Sequence, residues 1–213
     1  MAEIIDKVKE KAKDVKDVVV DTAKSLPHID VLTQKFALEL NGALAMENAG
    51  IARLQTRVQE VSIPEAKQRM LQHIAESLEH QKTLQQLVSG MGAEPTLDKM
   101  GLPLPEYPPN MLDMMKNTMT KQEWELKRSE EDLILEKAEV TCYFMLIQKI
   151  KMVGGMFLTA VDPLSKNMDD EQNMAEWIRT NSPGMMAQLW PKIQSAVATA
   201  SSPTSTQSPT QSQ

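Results

Sequence analysis

Glutamates and histidines occupy positions in this sequence where amphipathic helices would place apolar side chains. At about 100° per residue, Glu47 falls at the centre of a stripe formed by Leu40, Leu44, Ile51, Leu54 and Val58. A buried carboxylate without a partner is costly, so it needs a cation, a hydrogen-bonding partner or a raised pKa. One such residue is explained equally well by pairing with an arginine, so Glu47 alone does not define a site.

Two later segments repeat this anomaly. Glu171 falls inside the apolar stripe that contains Leu164, Met168, Met174, Ala175 and Ile178. Glu136 and Glu139 lie about 60° apart on one helical face, and that face continues through Tyr143, Ile147 and Ile150. Three segments therefore direct carboxylates towards a shared interior.

Histidine contributes to the same pattern on a fourth segment. His73 and His80 lie within the stripe of Leu84, Leu87 and Met91, whereas Glu76 lies at its edge, three residues beyond His73. The sequence does not decide whether His80 is a ligand, a substitute ligand or a hydrogen-bonding neighbour of the ligands.

Several carboxylates that converge in a dry bundle cannot all stay ionised without positive charge among them. We expect no Lys or Arg on these inner faces, so a pair of divalent metal ions is the predicted counter-charge. Cys142 is the only cysteine and there are three histidines, which excludes a cysteine-based zinc or iron–sulfur cage. Oxygen-rich ligation with one or two imidazoles suits iron or manganese.

Four long amphipathic segments must position these residues. The periodicity predicts an all-α, antiparallel four-helix bundle over residues 28–182, with a long crossover at 93–120 that contains a short helix at 111–119. Proline, glycine and capping signals place the bundle helices at 30–61, 64–91, 121–153 and 162–180.

The flanks of this bundle differ from it in composition. Residues 1–27 predict a charged amphipathic helix, which either packs loosely on the body or meets a membrane surface or a partner helix. Pro183 and Pro191 frame a predicted short C-terminal helix at 183–199, and residues 200–213 form a Ser/Thr/Gln/Pro tail that we expect to be disordered.

Charge and hydropathy limit the partners of the chain. The net charge of −6 disfavours nonspecific nucleic-acid binding. No apolar run approaches the roughly 18 residues that span a bilayer, and the charged N-terminus has no uncharged core of a signal peptide. We therefore expect a cytoplasmic protein without integral membrane contact. Catalytic-triad, phosphate-loop and zinc signatures are absent at their required spacings.

Four short motifs together resemble the YciE/YciF family of ferritin-like proteins over residues 30–180. They are Ala45-Met-Glu47, His73-Ile-Ala-Glu76-Ser, Glu136-Lys-Ala-Glu139-Val-Thr-Cys-Tyr143 and Met168-Asp-Asp-Glu171. The resemblance implies a ferritin-like bundle, usually a homodimer, with a dinuclear metal site of suspected ferroxidase or peroxide-linked character and an association with stress. The usual Glu-x-x-His pair is missing from both hairpins.

Carried over to this chain, the resemblance implies six metal ligands: Glu47, His73, Glu76, Glu136, Glu139 and Glu171. These ligands would bind two Fe ions, or one Fe and one Mn ion, and the protein would need no organic cofactor. Its reactants would be Fe(II) and dioxygen or peroxide. Glu76 and Glu139 are the preferred bridges, and Glu47 and Glu171 are expected at opposite sides of the site as terminal ligands or bridges. Tyr143 is the candidate catalytic residue, as a hydrogen-bond donor or redox-active phenol, although an ordinary core tyrosine is the more frequent alternative.

Two other functions remain open at this point. The bundle could act without chemistry, as a helical stress or partner-binding protein with a degenerate metal site. Iron storage in a multi-subunit cage fits less well, because the Pro-rich crossover and the short fourth helix are unlike those of cage-forming ferritins.

Overall fold

The computed structural model describes residues 30–200 of the chain. It contains α1 (Val31–Glu60), α2 (Pro64–Gly90), α3 (Pro109–Thr118), α4 (Lys121–Val153), a 3-10 helix (Gly155–Ala160) and α5 (Val161–Ala200). The predicted all-α fold is confirmed, and no strand occurs in the described range. The predicted N-terminal helix (1–27) and the tail beyond Ala200 lie outside the described residues. Within residues 30–200, no helix combines the length and apolarity needed to cross a membrane.

Local capping interactions explain where these helices begin and end. The side chain of Asp30 accepts hydrogen bonds from the backbone N–H groups of Leu32 and Thr33 at the start of α1. Thr120 and Glu123 form a reciprocal capping box at the start of α4. Gly154, which follows α4, adopts a positive φ of 72° that disfavours residues with a side chain. The four predicted helix starts therefore lie within one residue of those observed.

The four long helices pack as two antiparallel hairpins. α1 pairs with α2, and α4 pairs with α5, while α1–α4 and α2–α5 contacts join the hairpins. Opposite ends of α1 and α4 meet, because Glu39 pairs with Lys149 and Arg53 pairs with Asp132. Each long helix therefore has one face towards a common interior, as the apolar stripes predict.

The crossover between α2 and α4 runs back along α1. Asn41 donates its side-chain amide to the carbonyl of Glu94 and accepts from the backbone N–H of Thr96. Asn48 donates to the carbonyls of Thr96 and Asp98. These side chains satisfy backbone groups that the extended segment cannot pair within itself.

The structure corrects the predicted end of the fourth bundle helix and the separate helix at 183–199. α5 continues through Pro183 and Pro191 to Ala200. A proline inside a helix costs about 3 kcal/mol, but the apolar stripe continues beyond Pro183 and is buried by packing. Met185, Leu189 and Ile193 are all buried, and burial of such side chains contributes about 1.5–3 kcal/mol each. Tertiary packing therefore outweighs the local helix-breaking signal.

The core consists of two apolar clusters with a polar layer between them. One cluster includes Leu40, Leu44, Leu84, Ile147 and Leu164, and the other includes Val58, Val61, Ala66, Met70 and Met174. Along each long helix, the positions between the two clusters carry the inward acids and histidines. The polar layer is therefore enclosed by apolar packing on both sides.

Candidate metal centre

The polar layer brings together side chains from all four long helices. α1 provides Glu47, α2 provides two histidines, α4 provides two glutamates and α5 provides Glu171. No more than 3 % of the surface of any of these residues is exposed: Glu47, His73, His80, Glu136, Glu139 and Glu171. The inward orientation expected from helical periodicity therefore holds for every one of them.

One group of potential ligands contains Glu47, His80 and Glu171. His80 Nδ1 lies 3.3 Å from Glu47 Oε1 and 2.8 Å from Glu171 Oε1. One ligand atom from each of the three residues lies within 4.8 Å of the other two. This separation fits three donors around a single metal ion.

A second group contains His73, Glu136 and again Glu171. His73 Nε2 lies 2.9 Å from Glu136 Oε2 and 3.2 Å from Glu171 Oε2. The two groups therefore use different oxygens of the same carboxylate, and Glu171 is their only common member. A carboxylate that offers one oxygen to each group could contribute a ligand atom to both of them. The sequence favours Glu76 and Glu139 as bridges and leaves Glu171 open as a terminal ligand or a bridge.

The potential ligand atoms of both groups are positioned to bind metal ions but do not satisfy one another by hydrogen bonding. Although they are buried and close together, five of them have no hydrogen-bond partner of acceptable geometry among the described residues. These atoms are His73 Nε2, His80 Nδ1, Glu136 Oε2, Glu171 Oε1 and Glu171 Oε2. Buried polar atoms are nearly always satisfied, so their convergence indicates a site for cations with carboxylate and imidazole ligands.

The pKa values of the metal-free cluster are shifted by the burial of so many ionisable groups close together. Burial raises the pKa of Glu136 and Glu139 well above their usual range. Burial opposes a charge on His80, but its carboxylate neighbours outweigh this effect and raise its pKa to about 10. Burial would likewise raise the pKa of Glu171, but the two imidazoles beside its carboxylate outweigh this effect and lower the pKa below the usual range. Without metal, the cluster therefore retains protons that cations would displace.

Glu139 belongs to neither group, although it lies within the polar layer. Its pKa is raised by burial and also by the charges of Glu171, Glu47 and Glu136, so its carboxylate is close to the other acids. A Cβ atom built on Gly50 of α1 would lie 3.0 Å from Glu139 Oε1. The absence of a side chain at Gly50 therefore provides the space that Glu139 occupies.

We expect substitution of Gly50 to have the opposite effect from substitution of Gly42, two turns earlier on α1. Gly42→Ala meets no atom within 4 Å and should stabilise the fold by about 0.5–1 kcal/mol through helix propensity. Gly50→Ala should lose that gain and destabilise the fold by about 1–3 kcal/mol, because the added carbon overpacks Glu139. Urea unfolding measures both values, and equal stabilisation by the two variants would contradict the proposed tight contact.

Two other predicted site residues lie beside the ligand groups. Glu76 is on the far side of the His73 ring, where it contacts Nδ1 and accepts a hydrogen bond from Arg69. The Tyr143 hydroxyl donates to Glu47 Oε1 and accepts from Asn167. Asn167 was not predicted as a site residue, because an isolated inward Asn carries no motif. His80 lies in the interior, as its position in the apolar stripe predicts, and the structure brings it into a ligand group.

A buried ion pair below the site corrects one expectation from the sequence. Arg57 is fully buried, although we expected no Lys or Arg on the inner faces. Its Nε lies 3.0 Å from Asp132 Oδ2, and Arg53 Nη2 lies 2.8 Å from Asp132 Oδ1. Both arginines therefore pair with Asp132. Neither contacts the six inward acids and histidines of the polar layer. Periodicity alone could not reveal this pair, because its members are 75 residues apart.

Solved structures share this architecture. A protein of Xanthomonas campestris pv. campestris matches at a TM-score of 0.60 and 16 % identity, over 76 % of this chain and 98 % of its own. A bacterioferritin of Desulfovibrio desulfuricans, described with a diiron site, matches at a TM-score of 0.58 and 17 % identity, over 88 % of this chain and 99 % of its own. At such identities the likeness establishes a ferritin-like fold.

Sequence comparison assigns the family directly. No curated protein matches the chain. A family model described as a domain of unknown function, DUF892, matches residues 31–189. This range includes the whole polar layer and most of α5. The chain belongs to the DUF892 family of domains.

Proposed function

We propose that this chain is a dimetal carboxylate protein, with two iron ions, or one iron and one manganese ion, bound between α1, α2, α4 and α5. The observation that carries the proposal is the shared carboxylate, since Glu171 directs one oxygen to each three-residue group. Each group supplies one imidazole nitrogen and carboxylate oxygens, a donor set that iron and manganese accept. The likeness to a bacterioferritin described with a diiron site is consistent with this function.

The individual ligands take different roles in this proposal. Glu171 would contribute one oxygen to each of the two positions, and Glu47 and Glu136 would each be a ligand of a different position. Glu139, which lies in the polar layer but in neither group, would be a second carboxylate available to both. Glu76 contacts His73 Nδ1, the ring nitrogen that faces away from the ligand group, so we assign it a supporting role instead of direct ligation.

The proposed reaction is the oxidation of Fe(II) by dioxygen or peroxide. Two bound Fe(II) ions would supply two electrons, which with two protons reduce one dioxygen to hydrogen peroxide or one hydrogen peroxide to two waters. Tyr143 holds a proton on its hydroxyl oxygen and donates it in a hydrogen bond to Glu47, which makes it the proposed catalytic residue. The apolar clusters on both sides of the site exclude bulk water from it.

The biological setting follows from the resemblance to YciE/YciF proteins, which the Ala45–Glu47 and Glu136–Tyr143 motifs support. On that basis we propose a homodimer with a role in stress protection in the cytoplasm. Size-exclusion chromatography distinguishes this dimer from a closed iron-storage shell.

The proposal predicts that the full chain binds about two metal ions and is stabilised by them. Anaerobic titration with Fe(II) or Mn(II) should saturate near two equivalents per chain. At 100 times the Kd, a bound ion adds about 2.7 kcal/mol to the free energy of unfolding, which for a chain of this size raises the Tm by roughly 5–10 °C. Air or peroxide added to the Fe(II) complex should then produce the Fe(III) absorbance.

The same titration should depend on pH in a defined direction. Because the pKa of His80 is raised to about 10, metal must displace a proton there, and affinity should increase as pH rises from about 6 to about 8. In the metal-free protein, the stabilisation from protonated His80 is complete below about pH 6.5 and is lost as pH rises towards 10. Absence of both metal uptake and a Tm shift would favour the alternative, a non-catalytic partner-binding bundle.

A further inference from the structure

The ring nitrogens that face away from the ligand groups have equivalent partners. His73 Nδ1 lies 3.0 Å from Glu76 Oε2, and His80 Nε2 lies 3.1 Å from Asp170 Oδ2. Each imidazole therefore directs one nitrogen to the candidate metal position and the other to a carboxylate outside it.

Each of these outer carboxylates accepts a hydrogen bond from a basic side chain. Arg69 Nη1 donates to Glu76 Oε2 at 2.9 Å, and Lys166 Nζ donates to Asp170 Oδ2. The side chains of Glu76 and Asp170 are 21 % and 20 % exposed, whereas both imidazoles are fully buried. Two similar chains of contacts thus connect the protein surface with the buried ligands.

An imidazole can donate to a metal through one nitrogen only if that nitrogen carries no proton. A carboxylate that accepts the N–H of the other nitrogen selects this tautomer, fixes the ring orientation and increases ligand basicity. Loss of such a partner typically lowers metal affinity about 10- to 100-fold.

We propose that Glu76 and Asp170 are positioning residues, and that each controls the metal affinity of a different position in the dinuclear site. Glu76 acts through His73 on the position shared with Glu136, and Asp170 acts through His80 on the position shared with Glu47. This inference rests on the proposed function, because it assumes that the two groups bind metal.

The two chains of contacts have no residue in common, which is why their effects should be separable. Arg69, Glu76 and His73 all lie on α2, so this support is local to one helix. Asp170 and Lys166 lie on α5 and reach His80 across the α2–α5 contact. The outer carboxylates of the two positions therefore come from different helices, Glu76 from α2 and Asp170 from α5.

Co(II), whose absorption reports its coordination, can test this assignment by anaerobic titration of the full chain. Glu76→Gln should weaken one of two Co(II) equivalents about 10- to 100-fold and leave the other unchanged. Asp170→Asn should weaken the other equivalent to a similar extent. Glu76→Asp and Asp170→Glu, which retain the acceptor, should restore part of the lost affinity.

A second set of variants identifies which position is affected. In the Glu47→Gln background, where the His80 position is removed, Glu76→Gln should still weaken the remaining equivalent and Asp170→Asn should not. In the Glu136→Gln background the pattern should reverse. Glu79→Gln and Asp169→Asn are matched controls at exposed neighbouring positions and should bind like the wild type.

Three outcomes would overturn this inference. If the wild type takes up two Co(II) ions but Glu76→Gln and Asp170→Asn leave both affinities unchanged, only the positioning roles fail. Equal weakening of both equivalents by either variant would indicate general destabilisation of the bundle and would exclude separate control. If the wild type takes up no metal, the proposed function fails and this inference fails with it.

Discussion

Glu171→Gln should abolish metal binding at both positions, the largest functional effect expected of any single substitution. Glu171 is the only residue that belongs to both groups, with Oε1 2.8 Å from His80 Nδ1 and Oε2 3.2 Å from His73 Nε2. The amide removes the negative charge and replaces one oxygen with a nitrogen that is a poor ligand. We expect uptake to fall from about two equivalents to below one half, with affinity lowered at least about 100-fold, since even outer partners account for 10- to 100-fold.

The pattern across variants makes this expectation specific. Glu176→Gln, at a partly exposed site on α5 where Glu176 pairs with Arg179, should bind metal normally. Glu47→Gln and Glu136→Gln should each lose one equivalent and retain the other. Metal analysis after gel filtration, with circular dichroism to verify folding, provides the measurement. Retention of one tight equivalent by Glu171→Gln would exclude a shared carboxylate.

Asp132→Ala should produce the largest loss of stability, about 3–5 kcal/mol, because it leaves buried positive charge without its partner. Asp132 is almost completely buried and accepts hydrogen bonds from Arg57 Nε and from Arg53. Among residues 30–200, Arg57 retains only Glu60 as a charged partner after this change. Urea unfolding of the metal-free protein measures the effect without interference from the candidate metal centre.

A control and a compensating variant distinguish charge burial from simple loss of contacts. Glu130→Ala, which removes an exposed pair with Lys127 two positions before Asp132, should cost no more than about 1 kcal/mol. Arg57→Met combined with Asp132→Leu should recover most of the stability, because apolar replacement of a whole buried pair is often neutral or stabilising. A double variant as unstable as Asp132→Ala would refute this explanation.

The bundle helices were predictable because their signals are local. Asp30, Pro64, Thr120 and Gly154 mark helix ends by interactions within a few residues, and a 3.6-residue repeat identifies the buried face of each helix. The prediction was wrong at Pro183, where the local signal and the tertiary packing disagree. Burial of Met185 and Leu189 in the second apolar cluster, together with burial of Ile193, decides the outcome there.

The candidate site was predictable in its composition but not in its connections. Periodicity correctly placed Glu47, His73, Glu136, Glu139 and Glu171 in the interior, because an inward angle on a helix depends only on that helix. Glu76 lay at the edge of its stripe, where the angle does not decide between the interior and the rim. Its contacts with Arg69 and with the outer nitrogen of His73 required the folded arrangement.

Residue types and helical spacing thus predicted an all-α bundle, buried acids and a candidate centre rich in carboxylate oxygens with few imidazoles. Only the tertiary structure shows that Glu171 belongs to both ligand groups and that His80 belongs to one of them. It also shows that Asp170 contacts His80 and that Arg57 pairs with Asp132. The physical reason is that periodicity gives the direction of a side chain around its own helix. The height of one helix relative to another, and therefore which inward groups meet, follows from packing of the apolar clusters on either side of the polar layer.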